Sequence, residues 1–352
     1  MIHIIKRGDQ KKWQGVSVRI IAIIVALLIA SIFVLIAGVN PLKLYVGMIT
    51  GSLGSSYRFS QTLQEMVPLL ILSLGVSVAF KMHFWNIGAE GQFLMGAVGA
   101  TVMVRVLPAM PTGFMIMIMA IMSIVFGAMW LLIPAFFKSI YNTNETLFTL
   151  MMNYIALEFV TALQYDYWKD PAANGMPKIA EFPDYAMLPN LGSFGSEILF
   201  AVLAIIVAEY FLYHSKTGFE ISVLGVSQNT AKYAGINVKK TTMIGAAVSG
   251  GLCGLVGMLQ TAGVSGTLST QITGGLGFTA IIVAWLSNLK TPFVVITAFL
   301  FAILIQGGSA IQTAFQIQAS LASLIQATIL FCILASEFFL KYRIVFGKKV
   351  KN

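Results

Sequence analysis

The stretch "FWNIGAEGQFLMGAVGATVMV" covers residues 84–104. It opens with three polar side chains, Asn86, Glu90 and Gln92, and continues through Val104 with apolar and small residues. Gly88 and Gly91 are interleaved with the polar three. A carboxylate and two amides at the head of an apolar run are costly to bury unless something satisfies them. What satisfies them depends on the class of protein.

The chain has 352 residues, 58% hydrophobic and 10% charged. A soluble domain carries about 25% charged residues. Apolar runs lie near 20–39, 66–80, 88–107, 113–137, 146–163, 198–213, 241–262, 276–287, 292–306 and 319–336. A helix needs about 20 apolar residues to cross the hydrocarbon core. The pattern predicts an all-α integral membrane protein of about ten transmembrane helices in a single domain, 1–352. A water-soluble fold is excluded.

The net charge of +9 follows topology. With a cytoplasmic N-terminus, five basic residues fall in segment 1–19 and twelve more in later inner segments and the C-terminal tail, leaving five of 22 outside. That is the positive-inside pattern for ten spans with both termini cytoplasmic. No nucleic-acid surface is needed to explain the charge. The basic start has no A-x-A site after its long apolar run, so it reads as an uncleaved first helix. Cys253 and Cys332 fall inside spans and read as core residues, not a disulfide or metal pair.

Connecting segments follow. Segment 40–60 reads as an outer segment rich in Gly and Ser. "FMIMIMAIM", 114–122, reads as lipid-facing filler. Asn144 or Thr143 is expected to cap the helix that starts at Glu145. Loop 164–196 is the longest extracytoplasmic segment, with Asp166, Asp170, Glu181 and Asp184. Segment 214–240 is the longest cytoplasmic one, with a short surface helix expected at 226–234 and a stop at Gly235. Gly250, Gly254 and Gly257, with Ala246, share one helical face and predict close helix packing. A second Gly-rich opening, "STQITGGLGFTAIIVA" (269–284), stands in the second half of the chain as 86–100 stands in the first. Interrupted segments at matching places in two inverted halves point to a transport path.

Several chemistries lack their residues. There is no G-x-x-x-x-G-K-[ST] loop for ATP, no H-E-x-x-H and no G-x-S-x-G. No catalytic residues, metal ligands or cofactor site are expected. Candidate path residues are Asn86, Glu90, Gln92, Asn153, Gln271 and Thr273. Glu90 can also be satisfied at the N-terminus of its own helix, with Asn86 capping the same turn. An ion-coupled secondary transporter stays open on these residues, with Glu90 and Glu158 as its carriers.

Three motifs carry a resemblance. "FWNIGAEGQ" resembles the F-N-I-G-A-E-G-Q motif of nucleoside permeases of ABC importers, within the wider group of ribose and branched-chain amino-acid permeases, with Trp85 either inserted before Asn86 or taking the aromatic place. "NETLFTLMMNYIA", 144–156, resembles N-E-x-x-x-T-L-M-x-N-Y-I-A of the same branch. The inner loop resembles G-x-N-P-x-A-A-R-Y-A-G-I through Gly225, Ala231, Tyr233, Ala234, Gly235 and Ile236. Lys232 replaces Arg, and Ser227, Gln228 and Thr230 replace Asn, Pro and Ala. The resemblance implies a type II ABC importer permease fold. It implies a separate cytoplasmic ATPase that uses ATP and docks on Gly225, Ser227, Gln228, Asn229 and residues 231–236. It also implies an extracytoplasmic substrate-binding lipoprotein and a second, different permease chain. The expected cargo is a nucleoside, with a simple sugar such as ribose as the alternative. In that setting Asn86, Glu90 and Gln92 fix the start of a path-lining helix and touch substrate only secondarily.

Overall fold

The computed structural model describes residues 2–6, 12–173, 175–191 and 194–346. The basic residues Arg7, Lys11, Lys348, Lys349 and Lys351 lie outside the described residues. The thirteen described helices are α1 (Lys12–Ile36), α2 (Pro41–Leu53), α3 (Ser56–Lys81), α4 (Ala89–Val106), α5 (Thr112–Tyr141), α6 (Glu145–Ala162), α7 (Glu197–His214), α8 (Lys216–Val226), α9 (Gln228–Tyr233), α10 (Val238–Gln260), α11 (Leu276–Leu286), α12 (Thr291–Phe315) and α13 (Ala319–Lys341). Hydropathy did not predict two short antiparallel pairings. Strand β1 (Ile2–Lys6) pairs with β4 (Tyr342–Phe346), and β2 (Asn190–Leu191) with β3 (Phe194–Gly195).

Among the described residues, seven helices are long and apolar enough to cross a membrane: α3, α5, α6 with its extension to Tyr167, α7, α10 with its extension to Ser265, α12 and α13. The bent pair α1–α2 makes an eighth. Helix α4 has 18 residues and carries Glu90, Gln92 and Arg105, whereas α11 has only 11.

The chain divides into two compact units, 1–62 with 303–352, and 63–302. In the first, segment 40–60 is largely helical. It holds α2, set at 110° to α1. Asn40 accepts from the Leu42 and Lys43 N–H groups, and Pro41 starts the helix where its missing N–H costs nothing. The Tyr45 hydroxyl donates to the Leu27 carbonyl (2.7 Å) and fastens α2 back onto α1. Ala26, Ala30, Leu44, Met48, Ile311 and Ile325 form its core.

The second unit is built on α4, α5 and α10. Their glycines touch backbone to backbone. A Cβ added at Gly96 would land on Gly254, one at Gly127 on Gly250 and Gly254, and one at Gly257 on Ala97 and Phe93. The Ser123 hydroxyl donates to the Gly96 carbonyl (2.7 Å) across the α4–α5 contact. Small residues let membrane helices approach this closely and gain van der Waals contact. The glycine face expected on α10 is the face used. The Met-rich start of α5 is not all lipid-facing: Met115, Ile116 and Met119 are buried, while Phe114, Met117 and Ile121 are exposed. A 3.6-residue period puts one half of any such run on the core.

The long loop between α6 and α7 is held by backbone bonds. Phe182 N–H donates to the Gly266 carbonyl (2.7 Å) and Leu188 N–H to that of Ala262 (2.9 Å). Its Lys178–Glu181 ion pair raises the Lys178 pKa, through the hydrogen bond first and the charge second. Being exposed, that pair adds little stability.

The glycine contacts give a first prediction. Gly254→Leu should destabilise the folded protein by about 3 kcal/mol or more, because backbone cannot move aside. Gly113→Ala, where nothing lies within 4 Å, should leave the melting temperature in detergent unchanged. Equal melting of the two variants would refute the packing.

Candidate functional site

The polar opening of α4 closes on itself and on its neighbours. Asn86 and Gln92 face each other as a reciprocal amide pair: Asn86 Nδ2 donates to Gln92 Oε1 (3.1 Å), and Gln92 Nε2 donates to Asn86 Oδ1 (2.8 Å). Asn86 Oδ1 also accepts from Gly88 N–H (2.9 Å), and Asn86 Nδ2 also reaches Ser249 Oγ on α10 (3.3 Å). The side chain of Asn86 has no solvent exposure and no unused hydrogen-bonding group. Such a pair is stable in an apolar core because every member is satisfied.

Helix α6 supplies the rest of the cap. Asn153 Oδ1 accepts from Gly91 N–H (2.8 Å), and Asn153 Nδ2 donates to the Ile87 carbonyl (2.9 Å). Thr149 Oγ1 accepts from Ile87 N–H (3.1 Å). Gly88 and Gly91 lie directly against Thr149 and Asn153, so a Cβ at either would crowd α6. At the head of α6, Asn144 accepts from the Thr146 and Leu147 N–H groups, and Glu145 pairs with Lys138 (2.9 Å).

Glu90 does something different from its expected role. It does not cap its own helix. Its two carboxylate oxygens accept from Gly275 N–H (3.1 Å) and Gly277 N–H (2.7 Å) at the start of α11. Helix α11 has no side-chain cap of its own; it begins after Gly274 and Gly275, both at positive φ. The carboxylate therefore satisfies free N–H groups and meets the positive end of that helix dipole. At the other end of α11, Trp285 stacks on Trp85 (centroids 5.4 Å, planes 6° apart), and His83 also stacks on Trp85 (centroids 6.1 Å). The residues just before α4 and in its first turn thus grip α11 at both ends.

Of the six expected path residues, the structure brings Asn86, Gln92 and Asn153 into this lock, with Glu90 one turn away holding α11. Thr273 is buried and Gln271 exposed, both in the turn before α11. Sequence reasoning missed Thr149, Ser249, Gly275 and Gly277 as partners, because nothing in the chain's local pattern links residues 62 to 187 positions apart.

The second expected site is the inner loop. Ser215 caps α8 and Ser227 caps α9, whose end is closed by Gly235 at φ 74° with Ile236 N–H on the Ala231 carbonyl. Ala231 is fully buried, and Gly225 lies against the Lys81 carbonyl, where a Cβ would collide. These two hold the loop to the body. Gln228, Asn229, Lys232, Ala234 and Gly235 are exposed, and Tyr233 is 93% exposed.

Helix α6 also has an outer face. Leu147, Met151, Tyr154, Glu158 and Tyr165 recur along it and are all exposed. Glu158 makes no hydrogen bond or ion pair among the described residues. The exposed faces of α5 and α7 are apolar at Ile121, Met129, Val202 and Ile206.

Comparison with known proteins fits this architecture. The family model for the permease component of branched-chain amino acid transport systems matches residues 58–334. The chain belongs to this permease family. Among its relatives, a glucose ABC transporter permease of Haloferax volcanii, TsgB13, is 29% identical over 94% of this chain and 90% of its own length. The nucleoside permease NupB of Lactococcus lactis is 28% identical over 97% and 96%. The guanosine permease NupP of Bacillus subtilis is 29% identical over 82% and 84%. A solved inward-facing ABC transporter described as metal-chelate type shares the fold at a TM-score of 0.50, with 15% identity, covering 84% of this chain and 96% of its own. The chain is a non-catalytic, multi-pass permease subunit of the plasma membrane. As a family, such permeases work with an ATPase and a substrate-binding component.

The lock makes its own prediction. Asn86→Ala leaves buried partners unpaired and should cost about 2–4 kcal/mol. Glu90→Ala should leave the lock intact but speed hydrogen exchange at Gly275 and Gly277, with Glu90→Gln intermediate. Wild-type exchange at those two amides in Glu90→Ala would show that the cap is not formed in the membrane.

Proposed function

We propose that this permease forms, with a second and different permease subunit, the path of an ATP-driven importer for nucleosides. Two of the three relatives above carry nucleosides by name, and their matches run over most of both chains. The glucose permease favours a second reading, a simple-sugar importer of the same architecture. In either case this chain binds no cofactor, and a partner ATPase consumes the ATP.

The observation that carries the mechanism is the α8–α9 loop. It is anchored from within by Gly225 and Ala231, and it presents Gln228, Asn229, Lys232 and Tyr233 outward. A rigid, shallow helix with an exposed aromatic is a good handle for a motor subunit, since buried aromatics dominate interface energy. We read it as the ATPase contact, with Ser227, Ala234, Gly235 and Ile236 shaping it. Segment 214–240 and both termini are then cytoplasmic, and loop 164–196 faces the substrate-binding lipoprotein. Ten membrane segments result when α4 and α11 count as short spans beside α1 and the seven long helices, in one permease domain over the whole chain. Asn86, Gln92 and Asn153 serve the path by holding α4 and α6 in register. Glu90, Gln271 and Thr273 bear on it through α11.

Uptake of labelled inosine by cells with and without this gene tests the substrate. Loss on deletion, with competition by uridine but not ribose, is the expected result. Retained inosine uptake with lost sugar uptake would move the cargo to sugars. For the coupling loop, Tyr233→Ala should lower ATPase co-purification about tenfold or more while the permease still folds. Undiminished co-purification would sink the docking role.

A further inference from the structure

The exposed face of α6 carries one unpaired carboxylate among Leu147, Met151 and Tyr154. Helix α6 runs from Glu145 and continues to Tyr167 through a five-residue π turn, closed by Trp168 N–H on the Leu163 carbonyl (2.7 Å). Its inner face, with Thr149, Met152, Asn153 and Ala156, is buried against the rest of the unit. Its opposite face carries Tyr154, 63% exposed, and Glu158 one turn later. Glu158 lies thirteen residues from the head of the helix, about 20 Å along it at 1.5 Å per residue. That is well inside the span. Tyr165 and Asp166 continue the same face to the outer end, and both are exposed.

An unpaired carboxylate at this depth cannot face lipid, and such groups mark substrate or ion pathways. The other exposed span faces explain where lipid goes: α5 and α7 offer aliphatic and aromatic side chains there. The extra residue in the π turn shifts the register of the last residues. π turns of this kind cluster at functional sites.

We propose that Tyr154 and Glu158 form a substrate contact in the outer half of the path, with the Glu158 carboxylate accepting from vicinal hydroxyls of the cargo's sugar ring and the Tyr154 ring lying against its flat side. A carboxylate offers two acceptors side by side, which suits a pair of neighbouring hydroxyls. An aromatic ring suits the apolar face of a sugar or a base. Ribose in a nucleoside and a free hexose share this chemistry, so the inference rests on the proposed cargo class without choosing between its two members.

The test uses the complete transporter. First, Glu158→Cys, made in Cys332→Ser protein, is treated from outside with a membrane-impermeant maleimide, with Val202→Cys on α7 as the lipid-facing control. Labelling of position 158 only, slowed several-fold by the transported nucleoside or sugar, is expected. No labelling would mean that lipid or another subunit covers the face, and would overturn the inference. So would labelling that the cargo does not slow. Second, Glu158→Gln should raise the uptake KM about tenfold or more for the cargo with both hydroxyls, with kcat little changed. It should have little effect on a 2′-deoxynucleoside, already handicapped in the wild type. An equal loss for both cargoes would also overturn the contact. Failure of the wild type to carry either cargo class would instead reject the proposed function, and the labelling result would still stand or fall on its own.

Discussion

The reciprocal amide pair between Asn86 and Gln92 is the constraint from which the second unit is built. It sits where α4 begins, fully enclosed, and it fixes the turn that precedes the helix. Because both amides are spent on each other, on Gly88 N–H and on Ser249, α4 can start at only one place relative to α10. Close glycine packing then becomes possible. Gly96 can meet Gly254 and Gly257 only if the two helices are in register, and a slip of one residue would put side chains where backbone must touch.

The same short segment reaches outward in two directions. Through Thr149 and Asn153 it holds α6, and through Glu90 and Trp85 it holds α11 at both ends. Helix α11 is too short to span a bilayer alone and begins without a cap of its own. It borrows one. A carboxylate with two backbone donors is strongly bound, yet the bond is made to a separate element. Gly225, near the end of α8, lies on the Lys81 carbonyl, a few residues before Trp85 and Asn86. Movement of the loop therefore has a short physical route to both the lock and α11.

Much of this was legible in the sequence, for identifiable reasons. The long apolar runs, the glycine face of α10, the Asn144 cap and the Gly235 stop are local patterns, and local physics decides them. The bent α1–α2 pair was missed because a Gly/Ser-rich composition masks a helix whose Asn40 cap and Pro41 start are present but whose apolar face is short. The Met-rich start of α5 was misread because composition cannot separate lipid from core when both are apolar. Glu90 was legible as a helix-terminus carboxylate, but not as the cap of α11. Its own helix offered free N–H groups nearby, and only the tertiary approach of Gly275 and Gly277 decides which helix receives it.

Polar residues in this chain therefore fall into two kinds, distinguished by what they face. Asn86, Gln92, Asn153 and Thr149 are buried and mutually satisfied, so they set structure and are poorly placed to hold cargo. Their amides would have to break existing bonds before binding anything, and each break costs about as much as a new bond returns. Glu158 and Tyr154 are on the opposite face of the same helix, exposed and uncommitted. An importer that receives its cargo from a binding protein and must release it inside gains nothing from tight sites on its path. A rigid inner face that fixes the helix, with a sparsely polar outer face that meets the cargo, satisfies both demands within the one helix, α6.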